Sequence, residues 1–145
     1  MNLPEIMEAI AERLKDVDGV RSYAYPSDSI PAGQGDVVMV SPAATLVDYQ
    51  QAMKGGLAFV DLALVLYVQM SSDRAAFQRL NELASSGTGE TRSIIDALML
   101  TDRTLGGVCG DIVLQDLSNV RSEIVADGAR YLTAEFNVRV YVGRL

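Results

Sequence analysis

The chain has 145 residues, 49% hydrophobic and 21% charged. That is the profile of one globular domain, residues 1–145, able to bury about 68–70% of the surface its unfolded chain exposes. One cysteine and no histidine leave no internal disulfide, no His-containing triad and almost no room for a zinc site of nitrogen and sulfur ligands. The formal net charge of −7 disfavours adhesion to nucleic acid, because phosphate binding rests on Lys and Arg.

Met1-Asn2-Leu3-Pro4-Glu5 has no basic patch followed by an apolar run, so no signal peptide is expected. Residues 3–17 read as a helix, with Ile6, Ile10, Leu14 and Val17 on one stripe. Asn2 and Glu5 have capping-box spacing, and Pro4 is tolerated in a first turn. Asp18-Gly19 ends the helix. The stripe is read as core in preference to a partner-binding face.

Val20–Tyr25 reads as a short strand, 26–35 as a turn-rich stretch, and Asp36–Ser41 as a second short strand. Residues 42–56 carry Ala43, Ala44, Leu46, Val47, Tyr49 and Met53 without a clean period. A long apolar connection of this kind is either a contact surface or a loop folded onto its own core. Leu57–Met70 alternates strictly. Ala58, Val60, Leu62, Leu64, Leu66, Val68 and Met70 share one face; Phe59, Asp61, Ala63, Val65, Tyr67 and Gln69 share the other. This run is too short, and holds Asp61 and Gln69, so it does not span a bilayer. Its far face is only partly polar, which predicts partial cover by a helix or a neighbouring subunit.

Ser72–Ser85 reads as a helix with Phe77, Leu80, Leu83 and Ala84 inward, and Thr91–Leu100 as another with Ile94, Ile95, Leu98 and Met99 inward. Three strands follow, Asp111–Leu117, Ser122–Ala126 and Ala129–Val142, the last two joined through Asp127-Gly128, a strong hairpin signal. The final strand sets Leu132, Ala134, Phe136, Val138, Val140 and Val142 opposite Tyr131, Thr133, Glu135, Asn137, Arg139 and Tyr141. The expected fold is α+β, a mostly antiparallel sheet with the N-terminal helix and two central helices on one face.

Several constellations invite a chemical reading. Gly106, Gly107 and Gly110 suggest a phosphate cradle, but a helix precedes them and a strand follows, the reverse of a dinucleotide fingerprint. They are better read as a helix exit, with Asp102 and Thr104 bonding local backbone and Leu105 anchored in the core. Ser86–Thr91 lacks the Gly-Lys-Ser/Thr ending of a phosphate loop. Cys109 has no base to activate it and reads as a small buried hydrophobe. Asp111 and Asp116, five apart, are expected on opposite faces of a regular strand, which argues against one acid–base or metal site. No catalytic, cofactor or metal residue is assigned. Contact surfaces remain: Leu46, Val47, Tyr49, Met53, Tyr67 and Tyr141.

Ser93-Ile94-Ile95-Asp96-Ala97-Leu98, followed by Thr101-Asp102-Arg103-Thr104-Leu105-Gly106-Gly107, resembles the helix, D-x-T-L-G-G, strand segment of tail-terminator and tail-completion proteins of long-tailed bacteriophages. Gly128–Val138 is similar to that family's closing strand, with its Y-L-x-A-E-F-x-V pattern. The resemblance implies a non-enzymatic virion subunit at the tail–neck junction, assembled in the host cytoplasm and using no cofactor. It forms a ring with copies of itself, usually a hexamer, that caps the tail tube, ends its growth and docks the head. Its implied partners are the tail tube protein and a head-closure or stopper protein, with DNA only passing through the lumen. Under this reading Asp28, Asp36, Asp48 and Glu135 are candidate lumen acids that repel DNA. Rival readings are a head-closure or stopper protein, a small carboxylate hydrolase and a cytosolic ligand-binding module.

Overall fold

Ile6, Ile10 and Leu14 recur every fourth residue, and the helix they specify, α1 (Leu3–Leu14), buries all three. In the computed structural model the described residues are 3–15, 17, 19–24, 36–47, 57–69, 73–85, 93–100, 103–124 and 130–144. Val17 lies beyond α1 yet is buried as expected. The amides of Lys15 and Val17 donate to the carbonyls of Glu12 and Leu14, three residues back, so the exit is tightened in the 3₁₀ manner. Gly19, at φ +74°, then turns the chain into β1 (Val20–Tyr23).

β2 spans Asp36–Val47, so the expected end at Ser41 is corrected: Leu46 and Val47 belong to a strand and not to a loop. Pro42 still pairs with Leu62, but the next pair is Val47 with Val60, so β2 spends more residues than its neighbour over that interval. Proline has no N–H for a ladder and is accommodated where a strand bulges. The extra residues scramble the period-two pattern, which is why 42–47 read as irregular.

β3 (Leu57–Gln69), α2 (Asp73–Ala84), a π-helical turn (Asp96–Leu100), β4 (Asp111–Ile124) and β5 (Arg130–Arg144) complete the order. The five strands form one sheet in the order β1-β2-β3-β5-β4; only β1 and β2 run parallel. The fold is α+β and mostly antiparallel, as expected. β4 and β5 pair antiparallel as expected, up to Ile124 opposite Arg130; Asp127-Gly128 lies outside the described residues. The two strands expected over 111–126 are one strand, interrupted by two register shifts.

The long strands bury the faces their alternation marks. Val60, Leu62, Leu64, Leu66 and Val68 on β3 stand opposite Val140, Val138, Phe136, Ala134 and Leu132 on β5, all buried. Each such side chain contributes about 1.5–3 kcal/mol on burial. All described helices pack on this face. α1 supplies Ile6, Met7, Ile10, Ala11 and Leu14; the π-helical region supplies Ile94, Ala97 and Leu98, while Ile95 and Met99 are half-buried. α2 turns Ala76, Leu80 and Leu83 inward. Phe77, expected inward, is 48% exposed. The stripe starting at Ala76 wins over the one starting at Phe77, because the smaller side chain lets the helix lie closer to the sheet.

Candidate functional site

The glycine-rich turn is built by backbone geometry. Leu105, Gly106 and Gly107 hold φ of 53°, 73° and 92° in succession. Left-handed backbone is open to glycine and costly for other residues. Leu105 accepts that conformation while its side chain is buried in the core. The amides of Gly107 and Cys109 both donate to the Thr104 carbonyl, at 3.0 and 3.1 Å. The Gly107 amide also lies 3.3 Å from Thr104 Oγ1. Those N–H groups are consumed inside the turn and are not presented to a phosphate. Gly110 N donates to the Tyr141 carbonyl at 2.6 Å, which starts β4 against β5. The turn is therefore a junction between the π-helical turn and the sheet, the role the sequence assigns it. Cys109 is buried, with Sγ 3.6 Å from the Arg103 carbonyl, the weak donor contact of a packed thiol.

The acids are placed as structural partners. Asp36 accepts from Arg79 Nε at 2.7 Å and from the Gln69 amide at 3.2 Å. It is 7% exposed, so its candidacy as a lumen acid is corrected: the carboxylate is spent inside the subunit, tying β2, β3 and α2 together. Asp111 holds Arg103 through two bonds of 2.8 and 3.2 Å that bracket the glycine turn. Asp116 also departs from expectation. A register shift between Leu114 and Asp116 places it opposite Asn137, while Asp111 is opposite Tyr141. Asn137 and Tyr141 share one face of β5, so Asp111 and Asp116 share that face too. They do not form one site: each has its own partner, Arg103 and Asn137 respectively. Among the described residues no three Asp, Glu or Cys side chains are grouped as metal ligands would be.

On the sheet face opposite the helices the fold brings a second set of polar and aromatic side chains together. Phe59 lies across from Tyr141, and Asp61 across from Arg139. Arg139 donates Nε and Nη2 to the two oxygens of Asp61 at 2.9 and 3.1 Å, while its guanidinium carbon lies 4.0 Å from the Phe59 ring centroid. Tyr141 packs against Phe59 with centroids 6.2 Å apart. The hydrogen bonds from Arg139 to Asp61 raise the guanidinium pKa above its ordinary value, against the lowering effect of desolvation. The group is a locked, half-buried arrangement of aromatic rings and a fork-bonded cation. Further along the face Asn137 donates to Asp116 and to Ser118 Oγ, and Asn119 donates to Glu135 at 3.0 Å. Tyr67 stacks edge-on against Tyr131 at 6.2 Å. Val37, Met39, Ala63, Tyr131 and Thr133 are buried on this same face; the described helices pack on the other one.

Tyr67, Tyr141 and Glu135 thus lie on one surface, half-buried. Leu46 and Val47 lie in β2 beyond its bulge. Tyr49, Met53, Asp28 and Asp48 lie outside the described residues. Sequence reasoning missed the pairing of Asp61, Arg139 and Phe59; the available signal was a single acid and a single base in the same phase of two long strands. Between α1 and the glycine turn, Ala9, Glu12, Arg13 and Leu105 line a shallow open depression of about 310 Å³. No helix among the described residues is long and apolar enough to cross a membrane. No protein-family model matches the chain, and comparison with curated proteins finds no match.

Proposed function

We propose that the chain is a structural subunit of a phage neck, one that forms a ring on the end of the tail tube, stops tube growth and offers the head its docking surface. The observation that supports this best is the sheet face opposite the helices. Its distinctive residues, Phe59, Asp61, Arg139 and Tyr141, are held in fixed geometry by one another. Rigid aromatic and Arg groups are the side chains that carry contact energy between proteins. The acids that would serve a hydrolase are engaged elsewhere: Asp36 with Arg79, and Asp111 with Arg103.

The order of helix, glycine turn and strand over 93–124 fits the segment that resembles tail terminators. DNA would pass the ring without specific contact, and Glu135 is the one candidate lumen acid described on an accessible face. Tyr67 and Tyr141 belong to the contact face, with Leu46 and Val47 on the strand beside it.

The test is assembly. The purified chain is mixed with tail tubes and viewed by electron microscopy, in parallel with a variant carrying Leu46→Glu and Tyr49→Glu. A ring at the tube end that the folded variant fails to form supports the reading. A chain that never associates with tubes, or that turns over a small ester or phosphate, ends it.

A further inference from the structure

The structure assigns a second job to the irregularities of β4: they guard an exposed sheet edge against pairing with a second copy of the chain. This inference is independent of the neck-ring reading. Among the described residues β4 is the outer strand of the sheet, and it has fourteen residues. An edge of that length presents backbone donors and acceptors that template another strand unless something spoils it.

Two single-residue insertions spoil it. Leu114 pairs with Val138 and Asp116 with Asn137, which leaves Gln115 without a partner; Ser118 pairs with Glu135 and Arg121 with Thr133, which leaves Asn119 and Val120 together opposite Ala134. Asn119 takes φ +53°, and its amide donates to Glu135 at 3.0 Å. Asparagine is among the few residues that tolerate this backbone. Each bulge bends the strand and increases its twist. The inner pair β3 and β5 has a register shift only at its end, between Ala58 and Phe59.

The sequence shows what the insertions interrupt. With Gln115 and Asn119 removed, the run reads Asp111, Ile112, Val113, Leu114, Asp116, Leu117, Ser118, Val120, Arg121. Ile112, Leu114, Leu117 and Val120 then fall in one phase, and Asp111, Val113, Asp116, Ser118 and Arg121 in the other. That is an unbroken strand in one register with β5. Val120, now 44% exposed, would join the apolar phase. The two residues therefore turn a straight edge into a kinked one without moving Leu114 and Leu117 off the core face, where both pack.

The test is the full chain with Gln115 and Asn119 both deleted, compared with the natural chain by sedimentation and by amide-I infrared spectra over a range of concentrations. The expected result is a folded variant with cooperative unfolding whose mass rises with concentration beyond that of the natural chain, with an added intermolecular sheet band. A folded double-deletion variant with the natural chain's association overturns the inference. If the deletion does not fold, Asn119→Gly and Asn119→Thr decide. Glycine keeps the left-handed bulge and is expected to match the natural chain, while threonine favours flat strand and is expected to associate more. Equal association of the two overturns the inference.

Discussion

Asp61 and Arg139 stand directly opposite each other on the two most interior neighbouring strands of the long antiparallel ladder, joined by two nearly parallel hydrogen bonds. Phe59, two residues before Asp61 on the same face, receives the guanidinium on its ring. The arrangement depends on a planar fork, so lysine does not replace it. Arg139→Lys keeps the charge and loses the second bond and the ring contact, with an expected cost of about 1 kcal/mol. Urea unfolding of Arg139→Lys, Asp61→Asn and the double variant should give a coupling of about 0.5–1 kcal/mol. Additive effects would mean that the pair is only a neighbourly arrangement.

Asp36 is the acid with the most to lose. Its carboxylate is buried and bonded to Arg79 and to the Gln69 amide. Arg79→Ala leaves that carboxylate with one backbone donor, and an unsatisfied buried acceptor costs about 1–3 kcal/mol. The melting temperature should fall, while the urea dependence of unfolding keeps its slope. A crowded neighbour sharpens the test: a Cβ at Gly19 would lie 3.3 Å from Arg79 Nη2, so Gly19→Ala is expected to disturb the same clip. An Arg79→Ala protein as stable as the natural one would show that the clip carries no stability.

Phe77, read as inward from the sequence, is exposed. Ala76, Leu80 and Leu83, or Phe77, Leu80 and Ala84, satisfy the helical period almost equally well, and only the distance to the sheet selects between them. The two long strands were legible because alternation over many residues admits one phase, and the buried faces came out as read from Val60 to Val68 and from Leu132 to Val140; the side chains of Ala58, Met70 and Val142, assigned to the same faces, lie outside the described residues. β2 beyond Ser41 and β4 between Leu117 and Ser122 were not, because an inserted residue shifts the phase and erases the alternation that identifies a strand. The same limit hid the candidate site. Asp61 and Arg139 are seventy-eight residues apart in sequence, and which pair faces which is fixed by register, a property of two strands together. Phe77→Ser is accordingly expected to change stability by no more than about 0.5 kcal/mol, measured by thermal unfolding; a loss of several kcal/mol would return Phe77 to the core.

Leu98 tests the opposite case. It sits in the π-helical turn, fully buried among residues of α1 and the sheet. Leu98→Ala removes that packing and is expected to cost about 2–5 kcal/mol. Met99, next to it and half-buried, should lose far less on the same substitution. The contrast between adjacent positions, read by denaturant titration, checks the phase of this short helical segment.

The glycine turn makes the most graded prediction. Among the described residues, chain neighbours aside, no atom lies within 4 Å of a Cβ built on Gly106 or Gly107, so the penalty expected there is that of the backbone. Gly106, at φ +73°, is nearer the left-handed well that other residues can enter; Gly107, at φ +92°, is farther from it. Gly106→Ala should therefore cost about 1 kcal/mol and Gly107→Ala about 1–2 kcal/mol. Gly106→Asn should fall below Gly106→Ala, because asparagine tolerates the left-handed region. Since Gly110 N closes the turn onto the Tyr141 carbonyl, hydrogen exchange at Gly110 should quicken in step with the lost stability. If both alanine variants match the natural chain, the three consecutive left-handed residues do not set the entry of β4.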